Sequence, residues 1–357
     1  MTQQTRPRFP LLSAAALIIA LLLCLTLARR ETARSPIVPP SLRQPFQVSA
    51  WVPYWDADRV RISFSNHAAE LNEVNFFWYQ VLADGSLRAF AGAQDAALLE
   101  LARTHGLRVL PTVMNDFDGA RVAALLADET TREAHIQTVL ELVERLDYDG
   151  IEIDYEALPA ESRDDFSAFI EALAAALHEK GRLLSIAVHP KTSDKGSWHG
   201  PESQDWPRLG AAVDAFKIMV YEYHWRSSSP GPIAPLDWAD AVLTYAESAV
   251  PAEKIWLGLP FYGRDWAEGV GEGLVWRAVA DLMRQHSPVV RRDASSAEIF
   301  FAYTLADVPH TVYIPDAQAI AIKVRAARQQ HPDIAGLAIW RLGGESAQHW
   351  QAIWRER

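Results

Sequence analysis

Between Asp149 and Glu156 the chain reads Asp-Gly-Ile-Glu-Ile-Asp-Tyr-Glu, with acids at alternate positions and apolar residues between them. Side chains alternate across a strand, so Glu152, Asp154 and Glu156 share one face while Ile151, Ile153 and Tyr155 share the other. The apolar face must meet packed helices, which turns the acids inward. Successive acids then stand roughly 6–7 Å apart. Burying them is costly unless they are hydrogen-bonded or share protons, so a purely structural role for the row needs its own reason. Like charges at this spacing raise at least one pKa and hold a proton near neutrality, and a carboxyl in that state is a general acid. Glu156 lies nearest the C-terminal end of the strand, the end at which barrel enzymes place their chemistry, and is the expected proton donor. Acids at i, i+2 and i+4 are too far apart to hold one cation together, so no metal is expected here.

The surrounding sequence supplies elements that can position such a strand. Short apolar runs alternate with stretches of helical period, the pattern of a parallel sheet wrapped by helices. The runs are Val48–Pro53, Val74–Tyr79, Arg108–Val113, Gly150–Tyr155, Leu183–Val188, Phe216–Tyr221, Ile255–Leu259 and Gly336–Trp340. Helices are expected at Asp95–Thr104, Thr131–Leu146, Asp164–Glu179, Leu236–Glu247 and Asp316–Gln330. Eight β/α units over about 300 residues predict an α/β fold, a closed (β/α)8 barrel. The interval after strand seven is too long for one helix. A helical piece at Ala278–Gln285 and strand-like runs at Glu298–Tyr303 and Thr311–Ile314 predict a small α+β insertion, about residues 265–315, between strand seven and helix seven.

The acidic run resembles the signature of glycoside hydrolase family 18, Asp-Gly-x-Asp-x-Asp-x-Glu, departing from it only at Glu152, where the family has aspartate. The resemblance extends from about Gln47 to the C-terminus. It implies a retaining, substrate-assisted hydrolysis in which the sugar's own 2-acetamido oxygen attacks the anomeric carbon. On that reading Glu156 protonates the leaving oxygen and later activates water. Asp154 orients the acetamido N–H, and Glu152 is an inner partner that trades a proton with Asp154. Met219-Val220-Tyr221-Glu222 is similar to the family's Met-x-Tyr-Asp run. Tyr221 is then a hydroxyl donor to the acetamido carbonyl, and Met219 and Glu222 are sugar contacts. Gly258–Arg264 resembles the strand-seven motif, with Arg264 either a sugar ligand or a structural cation. Trp340 ends strand eight, where the family's tryptophan forms the floor of the sugar site. Tyr54 and Trp55 after strand one are candidates for stacking or hydrogen bonding. Strand three ends in Asn115 rather than Ser-x-Gly-Gly, similar to the spore-cortex and peptidoglycan N-acetylglucosaminidase branch. His189-Pro190-Lys191-Thr192 and Val312–Asp316 also resemble that branch, although a lone histidine more often serves as a hydrogen-bonding residue than as a catalyst.

Bulk properties narrow the alternatives. The 357 residues are 49% hydrophobic, with 13 Trp and a formal net charge of −11, which disfavours nucleic acid as a partner. Cys24 is the only cysteine, so there is neither a disulfide nor a thiolate metal site. No cofactor motif is present. Residues 1–28 contain an uncharged run, Leu11–Ala28, flanked by Arg6, Arg8, Arg29 and Arg30, which reads as an export signal or a retained membrane anchor. Residues 29–46 read as a flexible tether and 47–357 as the catalytic barrel. The expected protein is an exported or membrane-anchored monomer that hydrolyses a peptidoglycan-type polysaccharide. A chitinase is the alternative, and a non-catalytic glycan-binding barrel is disfavoured by the presence of Glu156.

Overall fold

The computed structural model describes residues 46–357, so the expected signal or anchor segment and all but the last residue of the tether lie outside the described residues. Eight parallel strands close into a barrel: β1 (Gln47–Pro53), β2 (Glu73–Val81), β3 (Thr112–Met114), β4 (Gly150–Asp154), β5 (Leu183–Val188), β6 (Ala215–Ile218), β7 (Ile255–Pro260) and β8 (Gly336–Trp340). Closure is direct, because β1 pairs with β8 on one side (Ser49 opposite Ala338) and with β2 on the other (Trp51 opposite Asn75).

Both faces of these strands are covered, so they lack the hydrophobic-polar alternation of a half-exposed sheet. The outward face is aliphatic and aromatic: Val48, Val52, Val74, Phe76, Ile151, Ile153, Ile186, Ile218 and Ile339 all belong to the main core. Helices complete that layer with apolar stripes of period 3.6. In Arg163–Glu179 the stripe is Phe166, Phe169, Ile170, Leu173, Ala174 and Leu177, all buried. Truncating Phe169 to alanine there costs about 3–5 kcal/mol. Aspartates set the starts of five helices, Asp95, Asp118, Asp128, Asp205 and Asp316 each accepting from a backbone N–H in the first turn. Each such cap is worth about 1 kcal/mol.

Several boundaries differ from the sequence reading. The expected third strand, Arg108–Val113, is broken into Arg108–Val109 and Thr112–Met114. Pro111, which has no N–H to give to a ladder, sits in the gap. The sixth strand stops at Ile218 because the Val220 and Tyr221 amides turn back onto the carbonyls of Ile218 and Met219. The insertion holds five antiparallel strands where two were expected, and it begins earlier, at Tyr262. Its first hairpin pairs Tyr262–Ala267 with Val270–Val275 across Glu268 and Gly269. Both turn residues have positive φ, as a two-residue hairpin loop requires. The Trp276–His286 helix packs its Val279 on Ile299, Phe301, Val312 and Ile314 of this sheet.

Candidate active site

Inside the barrel the side chains are polar and aromatic, and they fall into two levels. The deeper level centres on Glu152. Its Oε1 accepts from Trp51 Nε1 and from Thr112 Oγ1 at 2.9 Å, and its Oε2 accepts from Ser185 Oγ at 2.9 Å and from Lys217 Nζ at 2.7 Å. Lys217, fully buried, also donates to Glu73 and to Asn75, both at 2.6 Å. Its ammonium lies 5.5 Å from the centre of the Trp51 ring, within cation-π reach. Burial pushes the Glu73 carboxyl up, but the Lys217 and Arg108 charges outweigh this and leave it below its usual value. A carboxylate has about four acceptor positions, and all of those on Glu152 are taken. The proton exchange expected between Glu152 and Asp154 therefore lacks its hydrogen bond. Instead, the longer glutamate arm ends in an ion pair with Lys217.

The upper level is less completely matched. Asp154 is 5% exposed and its Oδ1 is buried without any hydrogen-bond partner. Burial, then the neighbouring charges of Glu156 and Glu152, drive its carboxyl well above the usual range. Above it the Glu156 side chain keeps 17% of its surface open. Burial, reinforced by the Glu222 charge, raises Glu156 to about 8, so at neutral pH it is mostly protonated and able to donate.

Local structure around Glu156 is tightly specified. Asn115 donates through Nδ2 to the Glu156 carbonyl at 2.7 Å and accepts from the Glu156 amide at 3.0 Å. Asn115 is expected from sequence to be a sugar contact, but both ends of its amide are spent on the Glu156 backbone and it is 1% exposed. Left-handed backbone at Asp116, Phe117, Ala157 and Glu222 clusters at the ends of β3, β4 and β6, and strained residues of this kind gather at functional sites. Gly119 abuts this turn: a Cβ there would sit 1.9 Å from the Ala157 carbonyl oxygen. On the outer face of β4 the Tyr155 hydroxyl donates to His135 Nε2 at 2.7 Å, and His135 Nδ1 donates to the Gly85 carbonyl at 2.7 Å.

Aromatic rings form the opposite wall. Trp340 contacts Trp51 and Phe77 edge-on, with centroids at 5.9 and 5.1 Å, and lies 6.1 Å from Trp55. Tyr54 stacks on Phe90 at 3.9 Å, while Trp55 is half exposed. Tyr221 is buried against Ile233 and Trp266, with Met219, Tyr262 and Trp340 alongside. Burial, then the Asp154 and Glu156 charges, hold its hydroxyl well above the usual phenol value, so it remains a donor. Arg264 engages Glu222, with Nη2 at 2.6 Å and Nε at 3.1 Å from both carboxylate oxygens, and Tyr262 donates to the same group. Arg264, open to either a sugar-ligand or a structural reading, is paired here with Glu222, which is correspondingly less free to meet a sugar. Trp198 and Trp225, both more than 40% exposed, lie on loops after β5 and β6 and were not singled out from sequence.

The sequence profile described as glycosyl hydrolases family 18 matches residues 50–345, which includes every strand end named above. The chain belongs to glycosyl hydrolase family 18. It is a glycosidase, and its eight-stranded barrel is shared with a solved chitinase. A putative sporulation-specific glycosylase from Bacillus subtilis, YdhD, is 28% identical over 298 residues, which cover 80% of this chain and 69% of the relative. A cortical fragment-lytic enzyme of Bacillus anthracis is 26% identical, covering 79% of this chain and 67% of that one. Among solved structures, a chitinase from Chromobacterium violaceum superposes with a TM-score of 0.81 at 26% identity, covering 87% of this chain and 98% of that one. Within the family signature, the departure at Glu152 is thus matched by a partner that was overlooked. Lys217 lies four residues before Tyr221 and two before Met219, on the inward face of an apolar strand, and that spacing was the available signal.

Proposed function

We propose that the enzyme hydrolyses β-1,4-linked N-acetylglucosamine glycans of the peptidoglycan type by a retaining, substrate-assisted route, outside the cytoplasmic membrane. The observation that carries the reading is the buried Asp154 acceptor with no partner within the protein, next to Glu156, whose carboxyl burial raises to about 8. A sugar seated on Trp340 brings an acetamido N–H as donor to Asp154. Glu156 gives its proton to the glycosidic oxygen as the bond to the anomeric carbon breaks. The acetamido oxygen bonds to that carbon and forms an oxazolinium, whose N–H is held by the Asp154 carboxyl. Glu156, now a carboxylate, takes a proton from water as the water oxygen displaces the acetamido oxygen, and the anomeric configuration is retained. Tyr221 supplies a hydroxyl toward the acetamido group. The names of the sporulation and cortex relatives and the Asn115 strand end support peptidoglycan. The likeness to a chitinase fold keeps chitin oligosaccharides as the second reading. The uncharged Leu11–Ala28 run supports export or anchoring.

The test incubates the purified full-length chain with peptidoglycan, chitin oligosaccharides and an unmodified β-1,4-glucan, and identifies new reducing ends by mass spectrometry. Cleavage of peptidoglycan at N-acetylglucosamine is expected. Cleavage of chitin alone overturns the substrate, and cleavage of the glucan at a similar rate overturns the mechanism. Glu156→Gln is expected to lower turnover by about 10²–10⁴ with glycan binding retained.

A further inference from the structure

His189, at the end of β5, is 7% exposed and has no part in the route above. Its Nε2 lies 3.2 Å from the Ala157 amide nitrogen, and that amide can only donate. Nε2 is therefore the unprotonated nitrogen, and in a neutral ring the hydrogen resides on Nδ1. Nδ1 faces Glu156 Oε2 at 3.7 Å, one small side-chain rotation from a hydrogen bond. Burial, with the nearby His199, pushes the ring's pKa down to about 3, so it stays neutral wherever Glu156 titrates.

The ring is firmly held. The His189 amide donates to Gln204 Oε1 at 2.9 Å, and Trp198 packs edge-on at 4.7 Å. The loop carrying Trp198 is tied down by Lys191, whose buried ammonium donates to the carbonyls of Asp194, Pro201 and Gln204. Around Glu156 itself, Asp154 from β4 and Glu222 and Tyr221 after β6 are acidic or neutral. His189, by contrast, presents an N–H.

We infer that His189 is a positioning residue whose neutral Nδ1–H, fixed by the Ala157 amide, donates to Glu156 once Glu156 has lost its proton. Building on the assignment of Glu156 as the acid, this gives the two halves of the reaction different partners. Protonated, Glu156 turns its hydrogen to the leaving oxygen. Ionised, it is caught by His189 and held for the incoming water. A donor that favours the ionised form lowers the pKa of its partner, so His189 limits how far burial and Glu222 raise Glu156.

The experiment titrates Glu156 by carboxyl ¹³C NMR and records kcat/KM against pH in the wild type, His189→Leu and His189→Asn. Asparagine keeps a donor near the Nδ1 position but not the acceptor for Ala157. His189→Leu is expected to move the Glu156 titration and the basic limb of the profile upward by about one pH unit and to lower kcat about tenfold. His189→Asn is expected to restore the wild-type limb. An unmoved titration in the leucine variant, or identical behaviour of the two variants, overturns the proposal and leaves His189 as a prop for Ala157. Should the leucine variant not fold, ¹⁵N–¹H correlation of the wild-type imidazole decides: a hydrogen on Nδ1 is expected, and one on Nε2 overturns the inference. The titration does not depend on turnover. An active Glu156→Gln enzyme would defeat the proposed function while leaving this result readable.

Discussion

Within one barrel, two levels of side chains about one strand step apart are built on opposite principles. Around Glu152 every acceptor position is filled, and Lys217 divides its protons among Glu152, Glu73 and Asn75. Around Asp154 and Glu156 an acceptor is left without a donor and both carboxyls are driven up by burial and like charge. The lower level spends its charges on one another and supports the fold. The upper level keeps its potential for a ligand, and stability is what it gives up.

The largest effect expected from breaking this contrast is at Lys217. Lys217→Met leaves Glu152 buried without a cation and Glu73 with Arg108 alone, and chemical denaturation is expected to show a loss of about 3–5 kcal/mol. Adding Glu152→Gln should recover part of it. A single variant as stable as the wild type would mean that the lower level is not a matched charge set. Next in size, the upper level should become more stable when its acid is removed. Glu156 binds a proton in the folded state up to about pH 8 but near 4.5 when unfolded. The fold therefore binds more protons than the unfolded chain between those values, and its stability falls as pH rises through the window. At pH 7 this amounts to about 3 kcal/mol, so Glu156→Gln is expected to raise the thermal midpoint near neutrality and to leave it unchanged near pH 4. Equal midpoints at pH 7 would remove the claim that the upper level stores instability. The smallest effect is at Asn115. Asn115→Ala frees the Glu156 amide and carbonyl and should cost about 1–3 kcal/mol, with kcat falling more than KM changes. A pure rise in KM would return Asn115 to the sugar contacts.

The parts of this arrangement that follow from alternation were legible in the sequence. The inward row of acids and the outward row at Ile151, Ile153 and Tyr155 obey a two-residue period, whereas Trp340 is marked by the family resemblance of its strand. What escaped depends on pairing across the barrel. Glu152 could be placed on its face, but nothing local to it names a lysine 65 positions away on another strand. Arg264 is similar: the motif marks it, and only the hairpin after β7 decides that its partner is Glu222. The Tyr262–Val275 hairpin was missed because Gly263, Gly269, Gly271 and Gly273 erase the apolar pattern by which strands are recognised.

The clasp of Glu222 by Arg264 and Tyr262 has a consequence for anyone who would re-engineer this enzyme. It joins the end of a barrel strand to the first hairpin of the insertion, and a second tie runs from buried Glu298 to the amides of Ile233 and Ala234. The insertion is thus one wall of the cleft rather than a detachable module. Trimming it to a minimal barrel would strand a carboxylate beside the acid and release the loop behind Tyr221.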